Sequence, residues 1–314
     1  MKARPVALVC GHATLDRLGG KLVPGGSVYY AAHTLAALGA EVRVVTAAGP
    51  DFPGDAFRLT PGPGPRPRPG PGPPAVQVQD QVEVQDQVHA GTLSALVLPA
   101  PATTVFENVY GPGGRRAQRV LSSAPPLEPS SVPAAWRDPD LLLLAPVLGE
   151  LDPGAFVRTV RARHVGVCVQ GLVRAVRADG SVVPRRLAPD AGLAGVAAAF
   201  VGEDEAAGQP DLVARLAAAV PIVALTHGSL GCEVIVRGGA PRRVGVHPAR
   251  EVDPTGAGDV FAAAFLLALA RGDDPVGAAR LGAAAASIVV EGHGGEALPR
   301  VGEAWDRVLR VPVG

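Results

Sequence analysis

Short apolar runs bounded by turn residues recur along the chain, and they alternate with segments whose apolar positions return at helical spacing. Residues 5–10 read as a short buried strand that Gly11 ends, with Asp16 on the next extended segment. A turn at Gly25 and Gly26 leads into an Ala-rich helix over 27–38, which Gly39 stops. Residues 41–48 form a second apolar strand that leaves through Gly49, Pro50 and Asp51. Strand, helix, strand in that length is a βαβ unit, which predicts a parallel sheet and a right-handed crossover. Extended patterns follow at 93–98, 103–110 and 115–121, the last two forming a hairpin around a turn at 111–114. Further strands are predicted at 140–145, 165–169, 196–201 and 222–226, and a second hairpin joins 232–237 to 242–247 across Gly238 and Gly239. Helices fall between them. Asp152 and Pro153 supply an N-cap and first-turn proline for a helix to about Arg163, and Asp274 and Pro275 do the same for one to about Val290. Residues 203–205 open an acidic turn or helix, and 211–219 are helical. The class is α/β with a mostly parallel sheet and a small β appendage from the early hairpin segments.

One region breaks the alternation. Residues 61–74 are almost entirely Pro, Gly and Arg, with no hydrophobic face to offset ordering entropy, which predicts a disordered or polyproline-like insertion over about 60–90. After it, VQDQVE at 78–83 repeats as VQDQVH at 84–89. The valines share one parity and would line one face of a strand; no chemistry is placed there. The insertion is expected to be mobile and dispensable.

Composition narrows the function classes. Lys plus Arg equals Asp plus Glu, 29 each, so no basic excess points to nucleic acid or to a membrane surface. No stretch is long and apolar enough to span a bilayer, and the run over 6–10 is too short for a signal peptide. Cys10, Cys168 and Cys232 lie far apart in strand-like runs and read as buried thiols of a reducing compartment, which makes a soluble cytoplasmic protein the expectation.

The richest chemistry lies over 251–272, EVDPTGAGDVFAAAFLLALARG. Phe261, Phe265, Ala268 and Leu269 recur at helical spacing, and Gly272 stands at the C′ position. Gly256, Ala257 and Gly258 therefore sit at a helix start, where unpartnered N–H groups and the helix dipole accept anions. Asp259 places a carboxylate beside that anion site, which suits a base next to a developing oxyanion; a helix-capping Asp is the alternative.

The string Asp253-Pro254-Thr255-Gly256-Ala257-Gly258-Asp259 resembles the ribokinase-like, or PfkB, carbohydrate kinase family. Asp16 after the first strand, Gly25-Gly26, Gly49-Pro50-Asp51 and the run Thr226 to Gly231 match in the same order, and the resemblance covers about 6–298 outside the insertion. It implies a Rossmann-type three-layer fold with a β-sheet lid, built from about 12–24 and 93–121. It implies ATP-dependent phosphorylation of a hydroxyl on a sugar, inositol or other small polyol, or a nucleoside. Asp259 would be the general base, and Gly256, Ala257 and Gly258 the anion hole. Asp16, Gly25 and Gly26 would bind substrate, with Asn108 contributing from the lid. Thr226, Gly228, Ser229 and Gly231 would hold ATP, and Ser287 and His293 fall where the family packs the adenine. Glu205 would organise Mg²⁺ through its waters, and Asp253 aligns with a K⁺ ligand of some members, a turn-forming Asp being the alternative. Members of the family often form homodimers through the lid.

Two departures bear on specificity. Ser27, Val28, Tyr29 and Tyr30 follow the double glycine where ribokinases carry a Lys and an Asn, and Gly202 stands where the family has an Asn three positions before the acid. The run 169–174, VQGLVR, resembles a subgroup related to inositol and polyol kinases, which makes Gln170 and Arg174 neighbours of the site. The rival from another class is a catalytically silent sugar- or nucleotide-binding protein on the same fold. A dinucleotide-dependent redox enzyme is excluded, because Gly11-His12-Ala13-Thr14 replaces the GxGxxG that should follow the first strand.

Overall fold

The computed structural model describes residues 4–18, 20–59, 91–110, 116–189 and 191–314. The insertion over 60–90, with its repeat, and the turn at 111–114 lie outside the described residues. In chain order the first elements are β1 (Val6–Cys10), β2 (Thr14–Leu18), β3 (Lys21–Gly25), α1 (Ser27–Ala37), β4 (Glu41–Ala48), β5 (Thr92–Pro99), β6 (Thr104–Tyr110), β7 (Arg116–Ser122) and β8 (Leu141–Leu144). There follow α2 (Pro153–Thr159), β9 (His164–Cys168), β10 (Arg174–Val176), β11 (Val182–Pro184), β12 (Ala198–Gly202), α3 (Glu203–Ala207) and α4 (Leu212–Ala219). The last are β13 (Ile222–Thr226), β14 (Cys232–Val236), β15 (Arg242–Val244), α5 (Ala257–Arg271), α6 (Pro275–Val289) and α7 (Ala304–Arg307).

Among the described residues nine strands form one sheet in the order β15-β14-β13-β12-β9-β8-β1-β4-β5. Pairing is parallel from β13 to β5, and the β13–β14 and β14–β15 pairs are antiparallel, so β14 alone runs against the rest of the sheet. From β1 the chain builds toward β5 on one side, then returns to add β8 on the other. Such a reversal opens a crevice at the carboxyl ends of the strands. The strands read as continuous apolar runs because both faces are covered. Ala7 and Val9 pack with α1, α5 and α6, whereas Leu8 and Cys10 pack on the opposite side with Phe156 of α2 and Leu212 and Leu216 of α4. The expected three layers are present.

The second sheet has the order β3-β2-β6-β7 and rises from the end of β1. Its β2–β3 hairpin carries Asp16 opposite Val23, and β6 pairs with β2 in parallel. Residues 93–98, grouped with this appendage on sequence, belong to the large sheet instead: β5 pairs with β4 along eight residues, from Glu41–Thr92 to Ala48–Pro99. Alternation of apolar residues fits a half-covered edge strand of either sheet, so the pattern could not assign it. The helix expected to reach Arg163 ends at Thr159, where Val160 turns extended and buries its side chain. The short β10–β11 hairpin had no distinct signal in the sequence.

The two sheets are tied at their junction by a buried polar network. His12, fully buried between β1 and β2, has Nε2 2.9 Å from the Pro125 carbonyl and Nδ1 3.0 Å from Thr104 Oγ1. Thr104 Oγ1 also accepts from the Ala124 N–H at 3.0 Å, so its proton points at Nδ1 and the ring proton sits on Nε2. Asp51, of the predicted Gly-Pro-Asp exit, accepts from the Thr103 hydroxyl at 2.6 Å, and Thr103 Oγ1 accepts in turn from the Gly49 N–H at 2.9 Å. Glu150 is buried and accepts from the backbone of His12, Val147 and Leu148.

Candidate active site

The helix start at Gly256 is built by its neighbours. Asp253 Oδ1 accepts from the Thr255 N–H at 2.9 Å and Oδ2 from the Gly294 N–H at 2.9 Å, so this carboxylate closes a turn and also anchors the loop after α6. Burial alone would raise its pKa; the Thr255 and Gly294 hydrogen bonds and the nearby His293 outweigh that and leave it below the ordinary carboxylate value. The turn-forming reading of Asp253 thus has direct support. Gly256 then adopts φ 79° and caps α5, and any side chain there would run into the ring of Tyr30. Two independent constraints therefore demand glycine. The Ala257 N–H donates to the Pro254 carbonyl at 3.2 Å, so the N–H groups of Gly258 and Asp259 carry the exposed part of the first turn.

Asp259 stands in that turn, part-buried. Burial pushes its carboxyl up to about 6; a hydrogen bond from the Ser27 side chain and the charge of Arg174 act against that shift, while the carboxylates of Glu205 and Asp16 add to it. Four distant pieces of chain are therefore within electrostatic reach of one carboxylate. Cys168, at the end of β9, lies beneath the same group, and burial together with Asp259 and Glu205 pushes its thiol far up. Tyr30 is 2% exposed, and its hydroxyl is raised by burial first, then by Asp16, Asp259 and Asp253.

On the acceptor side, Asp16 reaches back across the hairpin so that its carboxylate fills the space beside Gly25. A Cβ on Gly26, which has φ 86°, would lie 2.9 Å from the His12 carbonyl and from Thr14 Cγ2. The double glycine is what lets the Asp16 strand and the start of α1 touch. Asn108 lies farther along the small sheet, opposite Gln118, whose Nε2 donates to its Oδ1 at 3.2 Å. Gln170, with its amide oxygen turned inward, accepts from both terminal nitrogens of Arg174, one at 2.6 Å. Arg174 NH2 in turn lies 3.5 Å from Glu205 Oε1. Glu205 Oε2 accepts from the Gly202 N–H at 3.0 Å and occupies the space that a side chain at 202 would need, its Oε2 2.6 Å from an ideal Cβ there. Glycine in place of the expected Asn and the inward fold of Glu205 are one structural fact.

On the other side of the α5 start is a mostly apolar cleft of about 170 Å³. Thr226, Gly228, Ser229, Gly231, Ala257, Gly258 and Ser287 line it, together with Val246, Ala283 and Val290. Ser287 Oγ donates to the Ala284 carbonyl at 2.7 Å and is fixed against its own helix. His293 is exposed in the loop beside Asp253 and does not line the cleft. Sequence reasoning passed over Ser27 and Tyr30 as site residues. Their signal was their position directly after the double glycine, at a helix start facing the one that carries Asp259. No group of three or more His, Cys, Asp or Glu side chains is arranged to hold a metal among the described residues, and no helix there is long and apolar enough to cross a membrane.

Residues 169–300 match the pfkB family carbohydrate kinase. A 5-dehydro-2-deoxygluconokinase from Shouchella clausii is 37% identical over 122 residues, which are 35% of this chain and 37% of that protein. The chain thus spans a minor part of the curated relatives it matches, down to 18% of one of them. A pyrophosphate-dependent kinase in the ribokinase family, complexed with a pyrophosphate analog and myo-inositol, superposes with a TM-score of 0.69 at 20% identity, over 95% of this chain and 99% of that one. Arabidopsis thaliana ribokinase complexed with ribose and ATP gives 0.66 at 20% identity, over 98% of each chain. These structures show that the chain has the fold of the ribokinase-family kinases, and the segment over 169–300, which holds the Asp253–Asp259 string, is similar in sequence to the pfkB family carbohydrate kinases.

Proposed function

We propose that the chain transfers the γ-phosphoryl group of ATP to a hydroxyl of a small polyhydroxylated compound, a sugar or an inositol. The observation that carries this reading is Asp259. A carboxylate with its pKa raised to about 6 stands in the first turn of a helix, between a carboxylate-bearing hairpin on one side and an apolar cleft on the other. Such a group is ionised near neutral pH yet basic enough to accept a proton.

In the transfer, the proton of the acceptor hydroxyl passes to Asp259 while the oxygen lone pair forms the bond to the γ-phosphorus. The bond from that phosphorus to the bridging oxygen breaks, and its electron pair leaves with ADP. Charge on the transferring group falls toward the Gly258 and Asp259 N–H groups and toward Arg174, held by Gln170. Positioning and charge stabilisation of this kind supply most of the catalysis in phosphoryl transfer. Asp16 binds acceptor hydroxyls, the small sheet covers them as a lid, and the Thr226–Gly231 turn with Ser287 receives the nucleotide. Mg²⁺ bound with the donor phosphates supplies neutralising charge. Glu205 would hold it through water only by the lone pairs that its bond to the Gly202 N–H and its contact with Arg174 leave. Asp253, closed by two backbone donors, is retained as a K⁺ ligand only through its remaining lone pairs. A cytoplasmic site of action and pairing of two copies through the small sheet complete the proposal.

The inward fold of Glu205 favours a second reading, a silent sugar- or nucleotide-binding protein. Incubation with ATP, Mg²⁺ and a panel of sugars, inositols and nucleosides separates the two. ADP release that disappears in Asp259→Asn establishes the kinase and names the acceptor. Saturable binding of ATP or an acceptor without any Asp259-dependent ADP release establishes the silent protein instead.

A further inference from the structure

The small sheet ends at β7, and a turn from a distant part of the chain is seated on the outer edge of that strand. The Val120 N–H donates to the Gly180 carbonyl at 2.8 Å, and the Arg119 guanidinium donates to the Asp179 carbonyl at 2.8 Å. Arg119 and Ser181 are partners in an antiparallel bridge. The turn itself is stiff. The Arg177 N–H donates to the Ser181 carbonyl at 3.0 Å, and Asp179 Oδ1 accepts from both the N–H and the hydroxyl of Ser181, at 2.9 and 2.6 Å. Gly180 has φ 84°, and an ideal Cβ there would lie 2.8 Å from the Val120 carbonyl oxygen. Glycine is thus required both by the turn and by its close approach to β7.

This turn is the tip of the β10–β11 hairpin, whose other end begins at Arg174, 3.5 Å from Glu205. That end is fastened to the body of the protein. The Arg185 N–H donates to the Val173 carbonyl at 2.7 Å, Gln209 Nε2 to the Arg185 carbonyl at 2.9 Å, and the Leu187 N–H to Gln209 Oε1 at 3.1 Å. The tip, held on β7 through an exposed arginine and one backbone bond, is the end that yields when the small sheet moves. We propose that the Asp179–Ser181 turn is a latch for the small sheet, and that Arg119 is a positioning residue that helps to hold the sheet closed over the acceptor. The proposal rests on the kinase reading above for what the sheet covers. Asp16 rides on that sheet and Arg174 stands on the hairpin, so latching brings the two into register at the site. Two bonds close the latch only in part, and the acceptor supplies the rest of the closing free energy. Weakening the latch then reads as weaker apparent binding of the acceptor alone. A turn that merely covered the edge of β7 would change stability without separating the acceptor from ATP.

Two kinds of variant test it, with the acceptor that the sugar and inositol panel identifies. Arg119→Ala removes the side-chain bond and is expected to raise the KM of the acceptor roughly 5–10-fold, with kcat and the KM for ATP unchanged. Gly180→Ala presses on the Val120 carbonyl and should act in the same direction. The second kind locks the latch. Arg119→Cys with Ser181→Cys places two thiols at partnered antiparallel positions, where a disulfide can form, and the chain's own cysteines are buried. Oxidation of this double variant should abolish turnover, because the acceptor cannot enter beneath a fastened sheet, and reductant should restore it; either cysteine alone should not respond. Thermal melts and mass measurement establish folding and the cross-link. An unchanged acceptor KM in folded Arg119→Ala and Gly180→Ala overturns the proposal, and so does an equal rise in both KM values. An oxidised double variant that turns over like the reduced one overturns it as well. If the wild type releases no ADP, the kinase reading fails, and the latch is judged by calorimetric binding of the same sugars and inositols to the oxidised and reduced double variant. Loss of binding on oxidation then upholds the latch; equal binding, or none to either form, overturns it.

Discussion

Asp259 concentrates the residue-scale physics. Its ionised form is disfavoured by burial and by two neighbouring carboxylates, and it is retained by Ser27 and Arg174. As a base it must be ionised, so kcat/KM is expected to fall with unit slope below about pH 6. Arg174→Gln removes an attraction and should move that limb to higher pH; Glu205→Gln removes a repulsion and should move it lower. Opposite displacements in the two pH profiles would be hard to produce by general damage. Asp259→Asn should lower kcat by roughly 10²–10⁴-fold. The same substitution should stabilise the fold at pH 8. The folded pKa lies above the unfolded value near 4, so the wild-type chain loses stability as pH rises between them. The cost is fully present above 6 and absent below 4. For a part-buried group the gain is about 1–2 kcal/mol, read from denaturation midpoints at pH 8 and pH 4.

Elements place these residues by their ends. The start of α5 depends on Gly256 twice, through its left-handed backbone and through the Tyr30 ring above it. Gly256→Ala is expected to destabilise by about 2–3 kcal/mol, the sum of backbone strain and overpacking. Tyr30→Ala opens a cavity on its own, yet it removes the packing part of the Gly256→Ala penalty. The double variant should therefore lose less than the two singles together, and thermal melts of the four forms measure that coupling. Full additivity would mean that only the backbone matters at Gly256. Most ends in this chain are legible one at a time: Asp152 and Asp274 cap their helices as written, and Gly272 closes α5 in the left-handed conformation. The partner of each end is not legible, because the sequence says where a helix begins and not which other helix begins beside it.

At the scale of the molecule, the small sheet is joined to the large one through His12, Thr104 and the segment at Ala124 and Pro125. Thr104→Val keeps the shape and leaves two buried polar groups unpartnered, which should cost about 1–3 kcal/mol. Because both bonds lie at the junction, hydrogen exchange should accelerate in β2, β6 and β7 more than in β8 and β9; uniform acceleration would contradict a local role for the junction. By itself the sequence determined the α/β alternation, most strand and helix positions, and the identity of the motif around Asp259. Apolar periodicity, caps and glycines are local signals, and local signals suffice for those. Only the tertiary structure decided that β5 joins the large sheet, that Glu205 folds onto Gly202 beside Arg174, and that the Tyr30 ring packs over Gly256. Each of these depends on which distant segments share a surface, and that is settled by packing both faces of the sheet at once, a constraint no single stretch of the chain contains.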